Sequence, residues 1–323
     1  MDFNSVIGHE QIKANLKKAI KDNKASHAYL FQGEGGIGKV KLSYIFSKAL
    51  LCLSSEEEKP CNKCVSCKRF ESSTNPDFLH IKPEKGLITK DRIEELQGKM
   101  KTRPINSEKK VIIIEEAQQM NQTSTNKLLK TLEEPPTFVH IILTSSNPFR
   151  IFPTILSRVQ SVNFFPVEEV KVIKLLQEEY GKGEEEARFI ARFTKGIIGD
   201  SIRYSKDDEL FNRREEILKI LDSLIKGDKT KVFYSIDFFE VNQERIDEIL
   251  DIMVYYFRDI LIYNKIGRSP LILNKDKLDW ISEYLFMDFN RINDIILNII
   301  ETKSLVKSNI NYKLAIEAML LSI

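Results

Sequence analysis

The sequence has no long apolar run and no strong excess of charge of either sign. No stretch reaches the roughly 18 apolar residues that a membrane-spanning helix requires. The first residues lack the charged and apolar regions of a secretory signal peptide, so we expect a cytoplasmic protein with reduced thiols. The chain has 49 basic and 47 acidic residues, and this net charge of +2 gives no bulk evidence for nucleic-acid binding.

Cysteine is also scarce. All four cysteines lie within residues 52–67, as Cys52, Cys61, Cys64 and Cys67, with the spacing C-x₈-C-x₂-C-x₂-C. Four thiolates form the closed tetrahedral set of a structural zinc site, so we predict structural Zn²⁺ here. A reduced compartment disfavours a disulfide. An iron–sulfur cluster is the alternative, although the C-x₃-C-P continuation of the bacterial motif is missing after Cys67.

Glycine is concentrated in one loop, Gly33-Glu34-Gly35-Gly36-Ile37-Gly38-Lys39-Val40. The spacing G-x-x-x-x-G-K, between a predicted strand at 28–31 and a predicted helix at 39–51, is typical of a phosphate-binding loop. The candidate phosphate-binding residues are Gly33, Gly35, Gly36, Gly38 and Lys39. The Ser or Thr hydroxyl that would bind Mg²⁺ is missing, because residue 40 is valine. The alternative is a glycine-rich turn with a chance lysine.

Two predicted strands end in polar residues. The β-branched run 110–114 is typical of a strand buried on both faces of a parallel sheet, and it leads to Glu115 and Glu116. A second buried run, 139–144, leads to Asn147. Open α/β sheets bind ligands at the carboxyl ends of their strands, so we interpret these three side chains as candidate nucleotide-binding residues. The alternative for the acidic pair is a solvated strand end.

The pattern of predicted secondary structure changes near Pro166. Strands alternate with helices before it, which predicts a parallel α/β sheet, and only helical patterns follow it. The chain therefore reads as α/β followed by all-α. We place domain boundaries so as to give an α/β domain at 1–166 and helical domains at 167–207 and 208–323.

Several motifs in a fixed order resemble the delta-prime subunits of the bacterial DNA polymerase III clamp loader, which belong to the AAA+ class. The resemblance covers the whole chain. It includes the cysteine spacing and the pair Ser157-Arg158. The other matching segments are residues 27–31, 128–136, 143–148 and 311–317.

The resemblance implies an architecture and a set of partners. It implies an AAA+ P-loop domain with a zinc-binding insertion at 52–67, a small helical lid and a C-terminal helical collar for oligomerisation. The expected partners are the gamma/tau ATPase subunits and delta in a hetero-pentameric ring of the polymerase III holoenzyme. That complex as a whole is expected to contact primed DNA and the sliding clamp, and no membrane partner is expected.

Three residues of this chain differ from those of the ATPase members of this class, and these differences bear on ATP hydrolysis. Those members carry Ser or Thr where this chain has Val40, Asp where it has Glu115, and a lid arginine where it has Gly199. The resemblance implies that delta-prime subunits do not hydrolyse ATP, whereas nucleotide binding without turnover stays open. It also implies that Ser157 and Arg158 form an arginine-finger motif directed at the ATP of a neighbouring subunit.

Three functions are compatible with these features. The first is a non-catalytic clamp-loader subunit that supplies Arg158 in trans. The second is an active clamp-loader-type ATPase subunit. The third is a zinc-dependent nucleic-acid-binding protein with an incidental glycine loop. For Arg158 itself, the alternative is a surface arginine paired with a local carboxylate.

Overall fold

The computed structural model describes residues 1–56, 58–308 and 311–323. Residue 57, in the predicted zinc-binding insertion, and residues 309 and 310, in the predicted collar, lie outside the described residues. The chain divides into two compact units, Met1–Arg203 and Tyr204–Ile323. The boundary predicted at residue 166, inside the first unit, stays a prediction. Within the described ranges, no helix is both long and apolar enough to cross a bilayer.

The secondary structure follows the predicted change of class. The strands are β1 Ala28–Gln32, β2 Phe78–Ile81, β3 Lys110–Ile114, β4 Val139–Ser145 and β5 Gln160–Asn163. The helices up to the end of β5 are α1 Glu10–Lys21, α2 Lys39–Leu50, α3 Val65–Glu71, α4 Lys90–Met100, α5 Gln122–Glu133 and α6 Pro153–Leu156. Those that follow are α7 Glu169–Tyr180, α8 Glu184–Phe193, α9 Ile198–Ser205, α10 Leu210–Ile225, α11 Lys231–Val241, α12 Ile246–Ile266, α13 Leu278–Glu283, α14 Phe289–Leu305 and α15 Tyr312–Leu321.

The five strands form one parallel sheet in the order β2-β3-β4-β1-β5. In the register, Leu30 of β1 lies between Leu143 of β4 and Ser161 of β5. Strands β3 and β4 are buried along their whole length, as expected for strands covered on both faces. The predicted fold class, a parallel α/β sheet followed by helices, is confirmed.

Alternate residues of β3 serve two separate hydrophobic cores. Ile112 and Ile114 lie in the core that includes residues of α4 and α5. Val111 and Ile113 lie in the opposite core, which includes residues of α1 and α2. Successive side chains of a strand point to opposite faces, and all four of these residues are fully buried. Because β3 and β4 are parallel, the polar residues that follow them emerge at the same edge of the sheet.

The second unit is helical and contains a buried ionic cluster. The Arg213 guanidinium on α10 lies 2.6 Å from the Asp207 carboxylate and 2.7 Å from the Glu248 carboxylate on α12. Burial raises the pKa of Glu248, although the arginine opposes this effect. Removing one member would leave a buried charge unpaired, so the cluster fixes how α10 meets α12.

The first turn of α9 lies directly against the glycine loop. The Gly199 amide donates a hydrogen bond of 2.8 Å to the Gly36 carbonyl. A Cβ at residue 199 would lie 2.9 Å from both the Cα and the carbonyl oxygen of Gly36. Gly36 itself has a φ of +75°, a conformation that favours glycine. A side chain at residue 199 therefore does not fit in this arrangement.

We predict that Gly199→Ala separates α9 from the glycine loop. The new Cβ meets backbone atoms, which cannot rotate away, and overpacking of this kind costs about 1–3 kcal/mol. Hydrogen exchange should become faster at the Gly199 amide and in residues 33–38.

Gly183→Ala is the matched control, because a Cβ at Gly183 meets no atom within 4 Å and its φ of −61° suits any residue. Unchanged exchange at the glycine loop in Gly199→Ala would show that the contact with α9 does not hold the loop.

Candidate nucleotide loop and cysteine cluster

The glycine loop connects the carboxyl end of β1 to the N-terminus of α2. The Gly33 amide donates to the Ser145 carbonyl of β4 at 3.2 Å, so the loop begins beside the neighbouring strand end. A Cβ at Gly33 would lie 2.6 Å from the Phe164 carbonyl oxygen. Gly38 precedes α2 with a φ of +108°. The loop therefore has the strand–turn–helix context that phosphate-binding loops require.

Lys39 is turned back onto the loop. Its buried ammonium group donates to the carbonyl oxygens of Gly33 and Glu34, both at 2.7 Å. Burial lowers the pKa of Lys39, and the charges of Glu116, Glu115 and Glu34 oppose this effect. Two of the three N–H donors of the ammonium group are therefore used within the loop itself.

A histidine outside the glycine motif, His9, also holds this loop. His9 Nε2 lies 3.0 Å from the Ile37 carbonyl oxygen, and its ring lies 4.9 Å from the ring of Phe164. Burial lowers the pKa of His9. Its distance of 28 residues from Ile37 gives no local sequence signal.

Glu115, the first of the two predicted acidic residues, faces the neighbouring strand β2. Its Oε2 atom lies 3.0 Å from His80 Nε2 and 3.8 Å from Lys82 Nζ. The other ring nitrogen of His80 contacts the Tyr44 hydroxyl. Burial lowers the pKa of His80, whereas the carboxylate of Glu115 raises it. No sequence pattern identifies His80, because only the pairing of β2 with β3 brings it to this carboxylate.

Glu116 contacts residues at the end of the neighbouring strand β4 instead of β2. Its carboxylate accepts hydrogen bonds from the side chains of Gln118 and Ser146. Its backbone amide donates to the Thr144 hydroxyl at 3.2 Å, with φ at +51°. Both acidic side chains therefore already have protein partners.

Asn147 lies at the same carboxyl edge of the sheet. It is exposed and follows β4, and its amide donates to the Ser145 hydroxyl at 3.2 Å. The structure thus brings the glycine loop, the acidic pair and Asn147 to one edge, although it gives no direct contact between their side chains.

Arg158 lies at the edge of the sheet formed by the amino ends of the strands, opposite the edge that carries the glycine loop. It comes two residues before β5, whereas the glycine loop follows β1. The two edges are separated by the length of the strands, five residues in β1 at roughly 3.3 Å per residue. A finger at this edge cannot reach the glycine loop of its own chain.

Local partners hold the half-exposed Arg158 side chain. Its guanidinium lies 2.7 Å from the Glu133 carboxylate, and it donates to the Thr154 carbonyl and the Ser157 hydroxyl, both at 2.9 Å. This is the local carboxylate that the alternative interpretation expects. An exposed pair of this kind is worth only about 0–1 kcal/mol, so a stronger anionic partner can displace it.

The four cysteines converge, as their spacing predicts. Their Sγ atoms all lie within 4.8 Å of one another, with Cys52 and Cys67 buried and Cys61 and Cys64 partly exposed. Zn–S bonds of about 2.3 Å would place tetrahedral sulfur atoms roughly 3.8 Å apart, so this donor set fits the metal. The four thiols form a possible metal-binding cluster.

Backbone amides donate to the sulfur atoms in sequence. The amides of Cys61, Cys64 and Cys67 donate to the Sγ atoms of Cys52, Cys61 and Cys64, each at 3.4 Å. Burial by itself raises the pKa of Cys61, but amide donation from Lys63 and Cys64 and bonds to neighbouring thiols lower it to about 6. Burial raises the pKa of Cys52 and Cys67. The amides thus favour the thiolate form, which binds metal, at Cys61.

Two family models match the chain. One, described as DNA polymerase III, delta subunit, matches residues 8–168. The other, described as DNA polymerase III, delta subunit, C terminal, matches residues 208–323.

Relatives of known identity match over most of the chain. DNA polymerase III subunit delta' of Bacillus subtilis (strain 168) is 30% identical over 311 residues, which cover 95% of this chain and 93% of that protein. Subunit tau of the same organism is 31% identical over 300 residues, which cover 86% of this chain and 53% of tau. This chain therefore spans about half the length of tau.

Among solved structures, a DNA polymerase III gamma subunit-related protein from Thermotoga maritima aligns with a TM-score of 0.44 at 17% identity. The alignment covers 95% of this chain and 96% of that chain. The match to delta' extends over nearly the full length of both proteins, whereas the match to tau covers about half of tau. On the family models and this relative, the chain belongs to the delta-prime family of DNA polymerase III clamp-loader subunits.

Proposed function

We propose that this chain is a non-catalytic delta-prime subunit that helps to load the sliding clamp onto primed DNA. In this proposal it occupies one position in a hetero-pentameric ring with gamma/tau ATPase subunits and delta, in the cytoplasm. Residues 167–207 serve as the lid, and residues 208–323 serve as the oligomerisation collar. The contact between Gly199 and Gly36 is the observation that carries the non-catalytic assignment.

That contact removes the space in which a lid side chain would meet a nucleotide. The arginine of ATPase relatives cannot stand at residue 199 while α9 keeps its position, because even a Cβ meets the Gly36 backbone. Val40 offers no oxygen to a metal ion, and Lys39 is bound to loop carbonyls. Hydrolysis needs a well-held metal ion and positive groups on the transferring phosphoryl group, so these features together oppose turnover.

The alternative is an active clamp-loader-type ATPase subunit. The 31% identity to tau over 86% of this chain favours it. The two functions differ in ATP turnover by the chain alone.

We predict no ATP turnover above background for the purified chain, with or without primed DNA. The missing metal ligand at Val40 and the excluded lid arginine are the physical reasons. A steady-state phosphate-release assay measures this, with an active gamma/tau subunit as the positive control. A rate of about 1 s⁻¹, the low end of typical enzyme turnover, would favour the alternative.

We further propose that Arg158 completes the ATP site of a neighbouring subunit. Its position at the sheet edge opposite its own glycine loop supports action in trans. An arginine stays charged and can bind phosphate oxygens with two parallel hydrogen bonds. In the isolated chain Glu133 and Ser157 hold the guanidinium, and the exposed ion pair to Glu133 is weak enough to exchange for a phosphate group.

We predict that Arg158→Ala lowers hydrolysis at the one ATP site that this chain completes. Arginine fingers contribute about 10³–10⁵ in rate in GTPases, so the loss at that site should be about 10³-fold or more. Clamp loading in the reconstituted complex should fall with it. The assay is DNA-stimulated ATPase activity of the complex, after gel filtration has shown that assembly is intact.

Arg150→Ala is the matched control, because Arg150 is an exposed arginine of the same segment. Glu133→Gln removes the local ion pair but keeps the finger, so it should retain ATPase activity. Normal hydrolysis and loading by an intact Arg158→Ala complex would exclude the finger.

We propose that the cysteine cluster holds one structural Zn²⁺. The supporting observation is the set of four thiols within 4.8 Å that receives three backbone N–H donors. The cluster joins the end of α2 to α3, whose Phe70 lies in the core that includes α2. Metal binding would therefore stabilise this insertion on the α/β unit.

We predict that the purified protein contains one equivalent of zinc by elemental analysis and that Cys61→Ser lowers this content. Chelation should speed hydrogen exchange in residues 52–71, because the thiolates lose the ion that holds them together. Strand β3 should keep its protection. Lys68→Ala, an exposed position in α3, is the control and should retain zinc. Protein without zinc, or with iron instead, would contradict the proposal.

A further inference from the structure

Strand β5 has a free backbone edge. It ends the sheet order, with β1 on one side and no described strand on the other. The Phe164 amide donates to the Gln32 carbonyl of β1 at 2.8 Å. Because successive backbone groups of a strand point in opposite directions, the amides and carbonyls of Ser161 and Asn163 point away from the sheet. Within the part of the chain that the structure describes, neither of these amides has a protein acceptor.

The sequence around β5 does not protect this edge. Unpaired N–H and C=O groups on an exposed edge strand are a template for another chain, so natural proteins usually place charged residues or proline there. Residues 159–165 contain no charged residue and no proline. The side chains of Ser161 and Asn163 are exposed. The edge is therefore open to pairing with a sixth strand.

A groove beside this edge can receive side chains of an added strand. It lies between α1 and β5, and its volume is about 290 Å³. Its apolar wall is formed by side chains of both elements: Ile12, Leu16, Ala19 and Val162. Since alternate side chains of a strand point to the same face, every second residue of an added strand would enter the groove. The groove thus favours an extended segment with apolar residues at alternate positions.

The charge of the groove indicates how such a segment ends. Lys24 is the charged residue of its lining, which includes no carboxylate. Lys24 is exposed, and no ion pair joins it to a described residue. It lies between α1 and β1, so it is at the amino ends of the strands. A strand that runs antiparallel to β5 ends at this edge, which brings its C-terminal carboxylate to the Lys24 ammonium.

We propose that the edge of β5 and the adjoining groove bind the extended C-terminal segment of a partner protein. The segment adds antiparallel to β5 as a sixth strand, and backbone hydrogen bonds to Ser161 and Asn163 hold it. Its alternate apolar side chains fill the groove, and its terminal carboxylate pairs with Lys24. This surface is separate from the glycine loop, the arginine finger and the cysteine cluster, and it does not depend on them.

The test uses the full-length protein and a fluorescent hexapeptide of alternating threonine and valine with a free carboxyl terminus. Fluorescence anisotropy should show saturable binding with a Kd below about 10⁻³ M. At saturating peptide, hydrogen exchange should slow at the amides of Ser161 and Asn163, because both then donate to the peptide backbone. The same peptide with N-methyl groups at alternate residues should bind about tenfold more weakly, because those residues lack a donor.

Three substitutions test the separate parts of the surface. Ser161→Pro removes one outward amide and no hydrogen bond to β1, so it should weaken binding about tenfold in a folded protein. Ala19→Arg fills the groove from α1 without changing β5, and it should also weaken binding. Lys24→Gln should weaken binding of the free-carboxyl peptide about fivefold, the upper range for an exposed ion pair, and should not affect its amidated form.

Lys18→Gln is the matched control for Lys24→Gln. Lys18 is an exposed lysine of α1 that does not line the groove, so its loss should leave both affinities unchanged. A thermal melt and the zinc content of each variant show whether it is folded.

Four outcomes would overturn the proposal. The first is no binding of the free-carboxyl peptide up to about 10⁻³ M. The second is unchanged affinity in both Ser161→Pro and Ala19→Arg, which would place the peptide elsewhere. The third is equal affinity of the wild-type protein for the amidated peptide, which would exclude recognition of a C-terminus at Lys24. The fourth is a dimer of the wild-type protein in sedimentation that Ser161→Pro abolishes, which would make a second copy of this chain the occupant.

Discussion

The hydrogen bond from the Gly199 amide to the Gly36 carbonyl is the interaction on which the candidate nucleotide site depends. It requires glycine on both sides for different reasons. A Cβ at residue 199 would clash with the Gly36 backbone, and Gly36 has a φ of +75°. It attaches α9 to the loop, while His9 holds the same loop at Ile37 from the other side. A loop with the spacing of a nucleotide site is thus braced by its own chain, which suits a structural role.

The electrostatic interactions at the two edges of the sheet differ in strength for a physical reason. Lys39 is buried, so its bonds to the Gly33 and Glu34 carbonyls are costly to leave unmade once water is excluded. The pair between Arg158 and Glu133 is half-exposed and screened by solvent. The edge that carries the glycine loop is therefore fixed, and the edge that carries Arg158 can exchange partners. The proposed arginine finger would depend on this difference.

The cysteine insertion is a further feature of the first unit, separate from the glycine loop. Its four thiols converge within 4.8 Å of one another in the segment that begins after α2 and runs into α3. A Zn²⁺ ion held by all four sulfur atoms, as proposed, would have no open position for a substrate, so its role would be structural. The proposed contribution of the insertion is therefore to the stability of the α/β unit and not to a reaction.

The sequence alone determined the fold class, the convergence of the four thiols and the location of the glycine loop. These depend on local patterns, namely β-branched runs, C-x₂-C turns and the order of strand, glycines and helix. Tertiary structure decided the rest. It paired His80 with Glu115 through the neighbouring strands, placed Gly199 on Gly36, and gave Arg158 the partner Glu133. These contacts join residues 25 to 163 positions apart, and only strand order and helix packing determine such distances.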